Sequence, residues 1–130
     1  MTRIDTVIQA TLAPHSEIRL AILFGSLASG QGQRDSDVDL AIDAGQPLTV
    51  DTKITLIEEL VKRTERPIDL INLQTVGEPL LGQILEYGRR LSGSDSDYAE
   101  LIKRHLFAEA DFMPYYRRIL KERRNAWIVK

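Results

Sequence analysis

Three aspartates and a Gly-Ser pair lie close together in FGSLASGQGQRDSDVDLAI, the segment that covers residues 24–42. Asp37 and Asp39 are two residues apart at the start of VDLAID, which alternates apolar and polar side chains as a strand does. Their carboxylates are therefore expected on one face of the strand, with Cα atoms roughly 6–7 Å apart. Two such charges repel each other, and Mg²⁺, which prefers oxygen ligands, would remove the conflict.

A third carboxylate and a turn complete the predicted site. Asp69 opens the apolar segment 68–73. If that strand neighbours VDLAID, the Asp69 side chain can reach a second metal and polarise an acceptor hydroxyl. Gly25 lets backbone N–H groups approach a phosphate closely, and Ser26 begins a helical turn and offers a hydroxyl donor. Asp37, Asp39 and Asp69 are thus the candidate catalytic and metal-binding residues of a site suited to transferring a nucleotidyl group from a nucleoside triphosphate.

The elements that position these residues follow from the periodicity of apolar side chains. Alternation or short apolar runs predict strands over residues 19–25, 38–43 and 68–73. Helical spacing predicts helices over residues 3–13, 50–65, 78–88, 97–110 and 113–128, with a short helix at 26–30 and a turn-rich linker at 92–97.

This order of elements indicates an α+β fold. We expect a small mixed β-sheet covered by helices, followed by a helical C-terminal tail. In the helix over residues 50–65, the spacing predicts that Ile54, Ile57, Leu60 and Val61 face inward.

Composition bounds the class of protein. The chain has 130 residues, of which 43% are hydrophobic and 28% charged, as in a single globular domain. No apolar run approaches the ~20 residues of a membrane span, and the first residues lack the apolar stretch of a signal peptide. We therefore expect a cytoplasmic chain with no membrane partner. The absence of cysteine excludes disulfides and thiolate zinc sites, and the lone His15 and His105 are expected to have surface or packing roles.

Charge divides the chain into an acidic body and a basic tail. Residues 1–99 carry nine Lys and Arg against 15 Asp and Glu, whereas residues 100–130 carry eight against four. We predict a catalytic domain over residues 1–93 and a partner-binding tail over residues 94–130. No nucleic-acid-binding motif accompanies the basic helix, so we expect a partner-binding or simply solvated face, with Tyr115, Tyr116 and Trp127 anchoring the helix on the core or on a partner.

The motif resembles that of a known superfamily. Gly25-Ser26, ten residues, and then Asp37-Val38-Asp39 is similar to the defining pattern of the DNA polymerase β-type nucleotidyltransferases, and in particular of the minimal (MNT) antitoxins encoded beside HEPN-domain toxins. The resemblance implies that Asp37 and Asp39 bind Mg²⁺. It implies further that Asp69 is the third carboxylate and that Gly25 and Ser26 hold the triphosphate.

The resemblance also implies an activity and a partner. Such a protein transfers AMP from ATP to a tyrosine hydroxyl of its cognate HEPN-type ribonuclease toxin, which it neutralises within a hetero-oligomer. This chain departs from the pattern at Leu27 and Ser29, where many relatives have arginines, and Arg34 is expected to offset part of that loss. Two alternatives stay open: an antitoxin that acts by binding and occlusion alone, and a nucleotidyltransferase acting on a small molecule such as an aminoglycoside.

Other acidic residues resemble the motif only in part. Asp95 and Asp97 also form a D-x-D pair, but no Gly-Ser lies ten residues before them and no alternating strand follows. We assign them to the linker and to helix capping, and we assign Asp35 and Asp43 no role in the site.

Overall fold

A four-stranded sheet with helices on both faces forms the described part of the chain. The computed structural model describes residues 2–33 and 36–128, with side chains described throughout except in 111–116 and 123–128. In chain order the elements are α1 (Arg3–Leu12), β1 (Leu20–Phe24), α2 (Ser26–Ser29), β2 (Val38–Asp43), α3 (Val50–Thr64), β3 (Ile68–Asn72), α4 (Leu80–Tyr87), β4 (Arg89–Gly93) and α5 (Asp95–Ile128).

The sheet is mixed, with strand order β3-β2-β1-β4. β1 pairs antiparallel with both β2 and β4, and β2 pairs parallel with β3. This topology confirms the predicted α+β fold with a small mixed sheet. None of the helices in the ranges described combines the length and apolar composition needed to cross a membrane.

Two hydrophobic clusters cover the two faces of the sheet. Val38, Leu40 and Ile42 of β2 pack with α1 and α3 on one face, whereas Ala41 packs with α4 and the start of α5 on the other. The predicted alternation of β2 is therefore confirmed. It places the odd-numbered positions of the strand on the α4 side.

Three predictions about the elements are wrong. Residues 92 and 93, expected in a linker, belong to β4, whose segment RRLSG has one apolar side chain and becomes a strand because β1 offers it a free edge. The two helices expected over residues 97–110 and 113–128 form one helix, α5, with no break before Pro114. Leu101 lies in the core cluster below α4, so the first turns of α5 pack on the sheet.

The third error concerns the inward face of α3. Leu56, Leu60 and Thr64 are its buried residues, whereas Ile54 and Val61, expected inside, are 49% and 41% exposed. The helix carries two apolar stripes, and the sheet takes the one that includes Leu56 and Leu60. Ile57 packs at the margin of the core.

Candidate active site

The three predicted carboxylates meet at the amino end of β2. Asp39 pairs with Phe24, the last residue of β1, and on its other side with Asp69, the second residue of β3. Asp37 directly precedes β2 and lies two residues from Asp39, so both belong to the face that carries α4. The structure therefore brings Asp37, Asp39 and Asp69 together at one end of the sheet.

The environment of Asp39 disfavours its charge. Its side chain is half-buried, whereas Asp37 and Asp69 are exposed. Burial raises the pKa of the Asp39 carboxyl, and the nearby negative charges of Asp69 and Asp37 raise it further. Among the described residues, the charges that act on Asp39 all raise its pKa, so this end of β2 favours a bound cation.

Gly25 brings the Gly-Ser turn against this carboxylate. Its φ of +76° and ψ of −158° belong to a backbone region that only glycine adopts readily. A Cβ on Gly25 would collide with Oδ2 of Asp39 and would lie 3.0 Å from its Cγ. The turn and the carboxylate are therefore in contact, and Ser26, which is exposed, follows at the first position of α2.

The donor set fits a magnesium ion that is shared with a nucleotide. Within the described ranges, no three His, Cys, Asp or Glu side chains are gathered closely enough to hold a metal ion by themselves. Mg²⁺ commonly takes one or two carboxylates and completes its shell with substrate phosphates and water. Asp37 and Asp39 offer such a pair, and the space that a Cβ at Gly25 would fill lies directly beside it.

Arg66 holds the loop that leads to Asp37. The sequence did not predict this role of Arg66. Its Nη1 donates hydrogen bonds of 3.0 Å to the carbonyl oxygens of Gln33 and Ser36. Ser36 directly precedes Asp37, so the guanidinium fixes the backbone from which the carboxylate extends. A contact with backbone carbonyls leaves no motif in the sequence, and only the position of Arg66 just before Asp69 hints at it.

Arg89 supports α2 from the neighbouring strand. Its Nη1 donates to the Ala28 carbonyl at 3.4 Å, and its Nη2 donates to Oδ1 of Asp5 at 2.9 Å. Burial raises the pKa of Asp5, but hydrogen bonds from Arg89 and Thr2 outweigh burial and lower it. Because Asp5 also forms the capping box of α1 with Thr2, Arg89 links α1 to the turn that carries Ser26. The buried Nε of Arg89 has no hydrogen-bond partner among the described residues.

Asp43 lies at the opposite end of β2, outside the site, as predicted. Burial disfavours its charge, but hydrogen bonds from the Gly45 N–H and the Gln74 amide, together with the Arg19 guanidinium, lower its pKa. A cavity of about 520 Å³ opens at this end, between Asp43, Gln74 and α5. It contains none of the predicted site residues.

The remaining candidates have structural roles or are not described. His15 lies 3.0 Å from Glu59 and His105 lies 2.6 Å from Glu78, so each half-buried histidine contacts a glutamate away from the predicted site. Asp95 and Asp97 form the first turn of α5, away from the site. The predictions for Arg34 and Asp35, and for the side chains of Tyr115, Tyr116 and Trp127, lie outside the described residues.

Comparison with known proteins assigns the family. The polymerase beta nucleotidyltransferase family matches residues 6–97, and the chain belongs to this family. Protein adenylyltransferase MntA of Shewanella oneidensis is 30% identical over 81 residues, which are 62% of this chain. The chain thus spans 58% of the length of that curated relative.

Two solved structures share the fold. A crystal structure described as a toxin–antitoxin with AMP-PNP has a TM-score of 0.72 and 23% identity, and the match covers 89% of this chain and 98% of the other. A tri-AMPylated Shewanella oneidensis HEPN toxin in complex with MNT antitoxin gives a TM-score of 0.67 and 20% identity, over 90% and 96% of the chains. At these identities the likeness establishes the fold alone, and that fold agrees with the nucleotidyltransferase family that the chain belongs to.

Proposed function

We propose that this protein is an antitoxin that transfers AMP from ATP to a hydroxyl group, expected to be a tyrosine, of a cognate HEPN-type ribonuclease toxin. The observation that carries the proposal is the contact of Asp39 with Gly25 in the Gly-Ser turn, with Asp69 paired beside it. The adenylyltransferase activity of MntA and the AMPylated toxin bound to an MNT antitoxin support the acceptor class. Because ATP is the substrate, we expect the reaction in the cytoplasm.

Each residue has a role that its position supports. The Gly25 backbone, which a side chain would push away from Asp39, and the Ser26 hydroxyl are proposed to hold the triphosphate. Asp37 and Asp39 would hold Mg²⁺, which neutralises charge on the phosphates and on the leaving group. Asp69 is exposed and stands beside Asp39, where it can accept the proton of the attacking hydroxyl.

The transfer replaces one P–O bond by another. The acceptor oxygen forms a bond to the α-phosphorus of ATP, and the bond between that phosphorus and the oxygen bridging to the β-phosphate breaks. Pyrophosphate leaves, and the hydroxyl proton passes to Asp69 and then to water. In this proposal, the site contributes by holding the two reactants in line and by stabilising the charge on the phosphates.

Labelled ATP tests the proposal. The protein is incubated with Mg²⁺, labelled ATP and the product of the adjacent gene, and label in the partner is measured. We expect labelling by the wild type and none by the Asp37→Asn/Asp39→Asn variant. The matched control is Asp95→Asn/Asp97→Asn, which changes the other D-x-D pair and should still label the partner. An unlabelled partner, under conditions in which the wild-type pair is active in cells, contradicts the proposal.

One observation favours occlusion as a second candidate. α5 has 34 residues and is about 51 Å long, but its first turns make the contacts with the sheet and α4. Further along, Leu106, Phe107 and Leu120 are exposed apolar side chains, and Lys121 is also exposed. A helix that leaves the domain in this way is suited to cover a partner.

Truncation separates the two candidates. The chain should be cut after residue 108, since a cut before Leu101 would open the core. In a toxicity-rescue assay, catalysis predicts that the Asp37→Asn/Asp39→Asn variant fails to rescue although it folds. Occlusion predicts that this variant still rescues and that the truncated chain fails.

A further inference from the structure

α4 lies on the face of the sheet that carries the carboxylates, and it packs on Ile22 and Ala41. It begins after the carboxyl end of β3 and ends at Gly88, where a Cβ would lie 2.7 Å from Cγ2 of Ile22 and 3.2 Å from the carbonyl oxygen of Leu23. Leu23 is followed by Phe24 and Gly25. The last turn of α4 therefore lies beside the strand end that carries the Gly-Ser turn.

The three sides of α4 have different surroundings. Leu81 and Ile84 are buried against the sheet. A second side faces α5 across a cavity of about 300 Å³ lined by Gly82, Leu85, Glu86, Tyr98, Ile102 and His105. The third side carries Leu80, Gln83 and Tyr87, which repeat at helical spacing. Because α5 occupies the flank toward β4, this third side faces the amino ends of β2 and β3.

Tyr87 ends this third side close to the catalytic carboxylates. Its side chain is 64% exposed. Arg89, two residues after Tyr87, pairs with Leu23 of β1. Phe24, the residue after Leu23, pairs with Asp39 of β2. Two strand spacings, roughly 10 Å, therefore separate the end of α4 from Asp39. A nucleotide whose phosphates lie on Asp39 and Gly25 needs to span only this gap to reach the tyrosine ring.

We propose that Tyr87 and Gln83 form a nucleobase shelf, on which the base of the bound nucleoside triphosphate stacks. Aromatic rings stack on any base, and Gln83, exposed one turn earlier on the same side, offers an amide donor and acceptor to the base edge. This inference rests on the proposed function, since it assigns a contact to the base of the same nucleotide whose triphosphate the proposed function places at Gly25 and Ser26. It explains why a solvent-exposed aromatic side chain stands at the rim of a small polar site.

Paired ligands test the shelf in the full chain. Binding of Mg²⁺–ATP and of Mg²⁺–tripolyphosphate, which has no base, is measured by calorimetry for the wild type, Tyr87→Ala and Tyr87→Phe. Loss of one stacked base predicts that Tyr87→Ala weakens ATP about 5- to 100-fold and leaves tripolyphosphate within about twofold. Tyr87→Phe keeps the ring and should bind ATP like the wild type. The control is Phe107→Ala, another exposed aromatic side chain, which lines the cavity at the Asp43 end.

The outcomes distinguish the shelf from the proposed function. Equal weakening of both ligands by Tyr87→Ala, or unchanged ATP binding, overturns the shelf. So does a Tyr87→Phe variant as weak as Tyr87→Ala, because the hydroxyl rather than the ring would then hold the ligand. A wild-type chain that binds neither ligand contradicts the proposed function, and the shelf with it.

Discussion

Asp39 and Asp43 are four residues apart on the same face of β2, in opposite electrostatic environments. Asp39 has two carboxylates as neighbours, and its pKa is raised by burial and by those charges. Asp43 accepts hydrogen bonds from Gly45, Gln74 and Arg19, which lower its pKa against burial. Substituting asparagine at each position is therefore expected to change the stability of the metal-free protein in opposite directions.

The sign follows from proton linkage. The carboxyl of Asp39 has a folded pKa above the unfolded value of 3.8, so its charged form destabilises the fold. This destabilisation grows as the pH rises from 3.8 through the folded pKa, and it is fully present at pH 7.5. Asp43 stabilises the fold above pH 3.8, and this contribution is lost as the pH falls through its lowered pKa. At pH 7.5 both effects are at their maximum.

The magnitudes follow from geometry. Adjacent strands are about 4.8 Å apart, and two unit charges about 5 Å apart repel by about 1 kcal/mol in water and about 3 kcal/mol at an effective dielectric constant of 20. Because Asp69 is exposed, Asp39→Asn should stabilise the protein by about 1 kcal/mol, or about 4 °C in Tm. Asp43→Asn removes the buried charge that Gly45, Gln74 and Arg19 stabilise, and it replaces the acceptor Oδ2 facing Arg19 by a donor, so it should destabilise the protein by about 2 kcal/mol.

Thermal unfolding followed by circular dichroism, at pH 7.5 in EDTA, measures both changes against the wild type. At pH 3, below both the unfolded and the raised folded pKa of Asp39, that carboxyl is largely protonated and the gain from Asp39→Asn should disappear. Transferase activity should be lost in Asp39→Asn and retained, below the unfolding temperature, in Asp43→Asn. If Asp39→Asn lowers Tm as Asp43→Asn does, the reasoning that like charges strain the amino end of β2 is refuted.

Two further predictions concern the backbone around the site. Gly25→Ala introduces about 1–3 kcal/mol of backbone strain and displaces Asp39, so activity should fall at least about 100-fold. Gly30→Ala is the control, because Gly30 also has a positive φ but no atom lies within 4 Å of its Cβ, and this variant should keep activity within a few-fold. Comparable losses of activity in the two variants would contradict the proposed contact. Arg66→Lys keeps the charge, but the lysine side chain ends one atom short of Nη1, which donates to both loop carbonyls. The Mg²⁺ concentration for half-maximal activity should therefore rise several-fold, and an unchanged Mg²⁺ titration would show that these hydrogen bonds do not position Asp37.

The sequence alone predicts where the three candidate carboxylates meet because local signals determine it. The alternation of VDLAID places Asp37 and Asp39 on one face, and the Gly-Ser turn follows an apolar strand at a fixed distance. The pairing of Asp69 with Asp39 needed only that β2 and β3 be neighbours. That arrangement follows from a strand–helix–strand order, which favours parallel pairing.

What the sequence misses depends on tertiary contacts. β4 has little intrinsic strand propensity and exists because β1 has a free edge. On α3, Leu56 and Ile54 belong to two apolar stripes of similar strength, and only the shape of the sheet selects between them. Arg66 and Arg89 donate hydrogen bonds to backbone carbonyls. Because every residue has a carbonyl, no pattern of side chains in the sequence predicts either contact.

The departure of this chain from the arginine-bearing turn that the resemblance implies has a structural counterpart. Leu27 packs against the core beneath α2, so that position contributes apolar contact rather than charge. Arg89 reaches the same turn from β4, but Asp5 neutralises its guanidinium. Arg66, in contrast, donates to the neutral carbonyls of Gln33 and Ser36, in the loop before Asp37. This arginine thus reaches the site from the segment before β3 rather than from the Gly-Ser turn, and its hydrogen bonds go to the loop backbone rather than to Asp39, whose pKa stays raised.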